Sequence, residues 1–494
     1  MKIRVVKTAS DAKAVQAVKY QNNKRIVVRH FGSCHGDDEL KELLAVAHEW
    51  VRDFAGQLSI FPDQNPGNVL HLNHCTFLGV YYTFFYDFIA IIQQQMGFDK
   101  LQPLLKDLVM MRIFEPASKL RSIELLENYF GIVRQRKNLY KIAPRWLGLK
   151  EEMEASVVAF ARDKYAFEFD LVFYDVTTLY FEAFEEDELR RNGFSKDNKS
   201  QQPQILVALM VSKEGFPVGY EVFSGDTFEG NTIIPAIKAF VNKHRVQTLT
   251  VVADAAMISA TNVQALIEQQ LNYIVGARLG NLSSDLIAQI DQLLVREDGR
   301  SIRLSTENGY LICSYSSTRY RKDKYEMEKQ IEKANSIVAT PSKNRKVKFT
   351  KADGQRVELN EKLIAKTKKL LGIKGYYTNL NESVADNQTI IQRYHELYKV
   401  EHAFRMSKSD LETRPIFHFK EEPIRLHVLI CFMALTISRH IELSTGHSIA
   451  RFLSECKKMT DARILNQITN KEIRLRTKIT PAITDYQLKL NAPH

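Results

Sequence analysis

Residues 171–181 read LVFYDVTTLYF. Side chains alternate across an extended chain, so Leu171, Phe173, Leu179 and Phe181 share one face and Val172, Tyr174, Val176 and Tyr180 the other. A strand that is apolar on both faces belongs in the middle of a sheet covered on both sides. Asp175 sits within that run, where a carboxylate without a cation costs several kcal/mol or takes up a proton. Metal ligation and a buried salt bridge both satisfy it.

Reading outward, PQILVALMVS and FPVGYEVFSG are two further β-rich runs. They are followed by a helix near NTIIPAIKAFVNKH, the strand TLTVVAD, a helix near ATNVQALIEQQ and the short strand NYIVGA. Strand, strand, strand, helix, strand, helix, strand is the order of a mixed α/β sheet flanked by helices. Asp254 closes TLTVVAD at the C-terminal end of its strand, the usual place for a ligand site in such sheets. An aspartate that caps the following turn would look the same.

A third carboxylate, Glu401, lies in the helix-like run NQTIIQRYHELYKVEHAFRMSKSDL. Taken as one helix at about 100° per residue, Tyr394, Glu401, Arg405 and Lys408 fall in a stripe about 60° wide. Leu397, Val400, Phe404 and Leu411 form the adjoining apolar stripe, so the helix is expected to dock on a core with its polar edge in a cleft. An ordinary Glu401–Arg405 pair at i, i+4 would give the same face. Three carboxylates from two strands and a helix would offer oxygen ligands to Mg²⁺ or Mn²⁺, and paired metals at such a site clamp the attacking and leaving oxygens of a phosphoryl transfer.

The chain has 494 residues, more than one ordinary core requires, and a formal net charge of +11, which favours a polyanionic partner. Its five cysteines, Cys34, Cys75, Cys313, Cys431 and Cys456, form no C-x-x-C pair, and a reducing cytosol fits them best. His71, His74 and Cys75 with Cys34 and His35 match no established zinc spacing and are read as isolated residues. The N-terminus lacks the apolar segment of a signal peptide. FLGVYYTFFYDFIAII at 77–92 contains Asp87 and is shorter than a membrane span; it and RLHVLICFMALTISRHI at 425–441 are predicted to be buried helices, with no membrane partner.

The remaining organisation follows from changes of pattern. Residues 1–75 open with KIRVVKTA and KRIVVRHFG as strands and carry Lys19, Lys24, Arg25, Arg29 and His30 close together, as a small DNA-binding module or a solvated basic hairpin would. Residues 76–165 read as mostly helical. Residues 285–375 break the α/β rhythm and include the acid-free run KNRKVKFTK, which we read as a β-containing insertion dividing the sheet domain into 166–284 and 376–445. Residues 446–494 are a separate C-terminal region.

YDVTTLYFE, SKDNKSQQPQILVALMVSKEGFPVGYEVFSGDTFEGNT, VVADAAMIS and YHELYKVEHAFRMSK, in that order, resemble insertion-sequence DDE transposases with an RNase H-like catalytic domain. The group is the one with a Tyr-x2-Arg-x3-Glu-x6-Lys signature. Tyr394, Glu401 and Lys408 keep its register; its Arg position is Leu397, for which Arg393 or Arg405 could stand in. The resemblance implies Asp175, Asp254 and Glu401 as catalytic metal ligands for Mg²⁺, with Mn²⁺ able to substitute and two ions per site. It implies that Tyr394, Arg405 and Lys408 meet DNA, and that the insertion helps hold a distorted terminus. It further implies binding of terminal inverted repeats and target DNA, a homodimer pairing two ends, end pairing or dimerisation by residues 446–494, cut-and-paste transposition through hairpin ends, and a cytoplasmic, nucleoid-associated protein. The alternatives are an RNase H-like nuclease without strand transfer and an inactive DNA-binding relative.

Overall fold

A computed structural model describes the chain apart from residues 22–23, 56–73, 183, 195–200, 258, 308, 340–346, 354–355, 468–469 and 493–494. His71 lies outside the described residues. The chain divides into two units, one of Met1–Phe88, Glu127–Ile132 and Ser454–Asp485, the other of Ile89–Leu126, Val133–Leu453 and Tyr486–His494. The boundaries expected at 75, 165 and 445 do not coincide with this division, because segments distant in sequence return to the same sheet.

In the first unit β1 (Lys2–Lys7), β2 (Lys13–Gln21) and β3 (Lys24–Cys34) form an antiparallel sheet backed by α1 (Asp37–Ala55). Val15, Ala17, Phe31, Leu43 and Ala47 are its core. β2, not among the expected strands, has no alternating pattern of its own, since Ala14, Val15, Ala17 and Val18 are buried in adjacent pairs, and its alanines carry no β signal. The buried helix expected over 77–92 is a correction as well. Cys75–Tyr81 is a strand, β4, with Gly79 at φ 145°, and α2 (Thr83–Gln95) starts only after it. β4 is completed by two C-terminal strands described below.

The second unit contains α3 (Pro103–Phe114), α5 (Arg136–Leu147) and α6 (Lys150–Tyr165), with α4 (Lys119–Phe130) beginning in it. Its centre is a sheet built from β5 (Leu171–Tyr180), β6 (Gln204–Ser212), β7 (Pro217–Ser224), β8 (Thr250–Ala253) and β9 (Asn272–Ala277), with α7 (Ile233–His244) after β7 and α8 (Ala260–Glu268) after β8. The order β7-β6-β5-β8-β9, an antiparallel meander followed by two parallel strands, is the RNase H-like arrangement. β5 is central and covered on both faces, as its two apolar stripes require. The Tyr174 hydroxyl donates to Thr232 Oγ1 at 2.8 Å beneath α7, while Thr177 and Leu179 face the opposite layer.

Residues 285–375 hold α9 (Ser284–Leu293), β10 (Ser301–Thr306), β11 (Gly309–Tyr315), α10 (Ser317–Ala339), the hairpin β12 (Thr350–Asp353) and β13 (Arg356–Leu359), α11 (Glu361–Lys369) and the start of β14 (Ile373–Thr378). The stretch is β-containing, but only the β12–β13 hairpin forms a sheet of its own. β14 pairs antiparallel with β9, β11 with β14 and β10 with β11, so the central sheet continues to eight strands. The opposite layer comprises α12 (Asn387–His395), α13 (Tyr398–Ser409) and α14 (Glu421–Thr445). α14 is long and apolar enough to cross a membrane by composition, yet Leu426 through Ile441 are buried within the protein, as predicted for 425–441. After α15 (Ile449–Cys456), β15 (Asp461–Asn466) and β16 (Lys471–Arg476) complete the β4 sheet of the first unit, and α16 (Pro481–Lys489) ends the described elements. Asp461, fully buried, is held there by Arg476 through Nε and an η nitrogen at 2.8 and 2.9 Å.

Candidate catalytic carboxylate site

Parallel pairing brings the first two carboxylates side by side. The last registered pair between β5 and β8 is Tyr174 with Ala253, and the next residue on each chain is Asp175 or Asp254. Adjacent strands are about 4.8 Å apart and in-register residues point to one face, so the two carboxylates leave the sheet together at the C-terminal end of β8. Asp175 is half-buried and Asp254 exposed. Asp254 also caps the turn that follows: its Oδ1 accepts from the Ala255 amide at 2.7 Å, and its carbonyl from Met257 N at 3.0 Å. The two readings open at this residue are thus compatible.

α13 carries Glu401 over the same face. It packs against β5 and β6, with Lys399 Nζ 5.7 Å from the Phe173 ring and Phe404, Ser407 and Lys408 over Thr177 and Leu179. Phe173, Asp175, Thr177 and Leu179 alternate onto this face, so Asp175 lies beneath the helix that bears Glu401. The apolar stripe is as expected, with Leu397, Val400, Phe404 and Leu411 all buried.

The single helix expected from Asn387 to Leu411 is instead two. Leu397 N bonds to Tyr394 O, Lys399 N to Glu396 O and Val400 N to Leu397 O, a run of i to i+3 bonds between α12 and α13. Three residues per turn aligns positions 394, 397 and 400. Tyr394, Leu397 and Val400 are 7%, 6% and 0% exposed, so the tighter turn keeps all three in the core. The continuous polar stripe is therefore broken: Tyr394 does not share the exposed edge of Glu401. Leu397, at the signature's Arg position, is a core residue.

Tyr394 instead supports the site from within. Asp386 caps α12 by accepting from Thr389 N at 2.8 Å, and the helix directs the Tyr394 hydroxyl to donate to Asp254 Oδ1 at 3.1 Å. Its ring meets Tyr376 edge-on at a centroid distance of 5.0 Å. Gly276 on β9 makes room, since a Cβ there would lie 2.5 Å from the Tyr394 hydroxyl. Burial, and then the charge of Asp254, push the phenol well above its ordinary pKa, so it remains a donor. The charge of Glu401 adds a smaller push in the same direction.

Arg405 is exposed one turn beyond Glu401, and donates to His402 Nδ1 at 2.7 Å; His402 Nε2 in turn lies 3.1 Å from Glu442 Oε2. Lys408 is half-buried, its stem among Thr177, Leu179 and Phe404. One residue was missed. Lys374 on β14 holds its ammonium 4.5 Å from the Tyr394 ring centroid and is acted on by both Asp254 and Glu401. It sits in a stretch read as an insertion, and only the pairing of β14 with β9 brings it here.

Among the described residues no group of three or more His, Cys, Asp or Glu is close enough to hold a metal ion. Asp175 and Asp254 follow the last registered pair of β5 and β8, and Glu401 lies on the helix that packs against β5. Their donor chemistry fits a hard divalent cation: all oxygen, two carboxylates adjacent in register and a third on the helix above.

The family described as the transposase DDE domain matches residues 168–437. No curated protein matches the chain in sequence. Among solved structures it is similar to a piggyBac transposase synaptic complex with hairpin DNA, at 9% identity and a TM-score of 0.37, over 83% of this chain and 70% of that one. The family match runs from just before β5 through most of α14 and includes all three carboxylates, so this chain belongs to the DDE transposase family.

Proposed function

We propose that the protein excises and joins DNA ends of an insertion sequence by a cut-and-paste route, using Asp175, Asp254 and Glu401 as its catalytic residues. The observation that carries this reading is the parallel register placing Asp175 beside Asp254 under the helix of Glu401. These carboxylates would hold two Mg²⁺ ions, replaceable by Mn²⁺, whose Lewis acidity supplies charge stabilisation at the oxygens of phosphoryl transfer. No covalent protein nucleophile is required.

The chain's own groups then have distinct tasks. Tyr394 fixes the rotamer of Asp254 through its hydroxyl, leaving the second carboxylate oxygen for the cleft. Lys408 and Arg405 offer positive charge to strand phosphates from the helix of Glu401. The basic β2–β3 hairpin, with Lys19, Tyr20, Lys24 and Arg25 exposed, offers a surface to the terminal inverted repeats in the reducing cytoplasm, near the nucleoid. Lys408→Ala should weaken end binding and lower the salt slope by about one unit; an unchanged slope removes the phosphate contact.

A homodimer that pairs two ends explains how both cuts would be coordinated, with hairpin ends as the intermediate. The test uses purified protein, Mg²⁺ and DNA carrying the element's terminal repeats. Joined products and a complex with two ends support the proposal. Cutting without joining indicates a nuclease, and binding without cutting an inactive relative.

A further inference from the structure

Lys374 is a half-buried cation set beside the carboxylates, and its placement is specific. On β14 it alternates with Tyr376 toward α12, opposite Ser314 of β11 in the register. Its Nζ lies 4.5 Å from the Tyr394 ring centroid and 5.6 Å from that of Tyr376. The Tyr394 hydroxyl in turn donates to Asp254, so ammonium, ring and carboxylate form a continuous stack. Asp254 and Glu401 both favour the charged lysine, whereas burial, the largest influence, and Arg319 oppose it. A half-buried ammonium in such surroundings is retained at a cost, and the two carboxylates are the groups that offset it.

Lys374 also borders a cleft of about 500 Å³ lined by Ser301, Ser314, Ser316, Arg319 and His395. Hydroxyls and a second cation give this space the chemistry of a phosphate site. We propose that Lys374 is the resident counter-cation of the carboxylate site, which competes with the divalent ion for the field of Asp254 and Glu401 and, once the metal is bound, serves a DNA phosphate in the adjoining cleft. This rests on the carboxylates being the metal ligands, as proposed above. Before metal and DNA arrive, Lys374 keeps the charges of Asp254 and Glu401 compatible with a folded site.

The test is isothermal titration of the full chain with Mn²⁺, comparing wild type, Lys374→Met, Lys374→Arg and Asp254→Ala. Removing a like charge from beside the metal should tighten Mn²⁺ binding by at least about threefold in Lys374→Met, while Lys374→Arg stays close to wild type. Unchanged or weaker binding in Lys374→Met overturns the counter-cation role. Asp254→Ala tests the carboxylates themselves: if it binds Mn²⁺ as wild type does, they are not the metal ligands. Lys374→Gln removes the same charge and serves if the methionine variant does not fold. With metal present, the salt slope for DNA binding should fall by about one unit in the neutral variants; an equal slope overturns the phosphate contact.

Discussion

Alanine at Asp175, Asp254 or Glu401 should lower the rate of DNA end cleavage by at least about 10³-fold, or about 4 kcal/mol of transition-state stabilisation. DNA affinity should change little, because these side chains are anionic and binding to the phosphate backbone comes from lysines and arginines elsewhere. The three effects should also fail to add: residues that hold one group act as a unit, so a double alanine variant should be scarcely slower than either single one. Single-turnover cleavage with a parallel binding assay gives both numbers. A variant that cleaves normally removes its residue from the site. Asp254→Ala would additionally release the Tyr394 hydroxyl and the Ala255 amide, and its melting temperature should be compared with that of Glu401→Ala, whose side chain is exposed.

The second large effect is on metal-linked stability. Asp175→Asn should melt at or above the wild-type temperature in the presence of a chelator, because it removes one of three mutually repelling charges. Mg²⁺ or Mn²⁺ at about 100 times its Kd should stabilise the wild type by about 2.7 kcal/mol and the variant much less. If Asp175 instead serves a structural ion pair, the substitution should destabilise by about 3 to 5 kcal/mol with or without metal, since it leaves a buried cation behind. Thermal melts of the two proteins under both conditions distinguish these outcomes.

The central sheet was legible because local pattern and global role coincide there. LVFYDVTTLYF is apolar on both faces, and β5 is indeed covered on both. Asp254 ends an apolar approach, and it does terminate a strand at the usual ligand edge. Glu401 was placed correctly on a helix, but not the relation of Tyr394 to it. A 3.6-residue period cannot reveal a tight turn at 396–397, which carries neither glycine nor proline and is settled by the burial of Leu397. The same run of aromatics can suit a helix or an edge strand; at 77–81 it is pairing with β15, far along the chain, that decides. Lys374 was illegible for the same reason, since nothing near it in sequence announces that β14 extends the central sheet.

Asp175, Asp254 and Glu401 are proposed to bind one divalent-metal centre. The most direct test is a crystal soaked in Mn²⁺ and measured for anomalous scattering. Peaks within about 2.4 Å of carboxylate oxygens from all three residues would be the predicted result. A manganese peak held by other side chains, with these three carboxylates uninvolved at saturating metal, would contradict it.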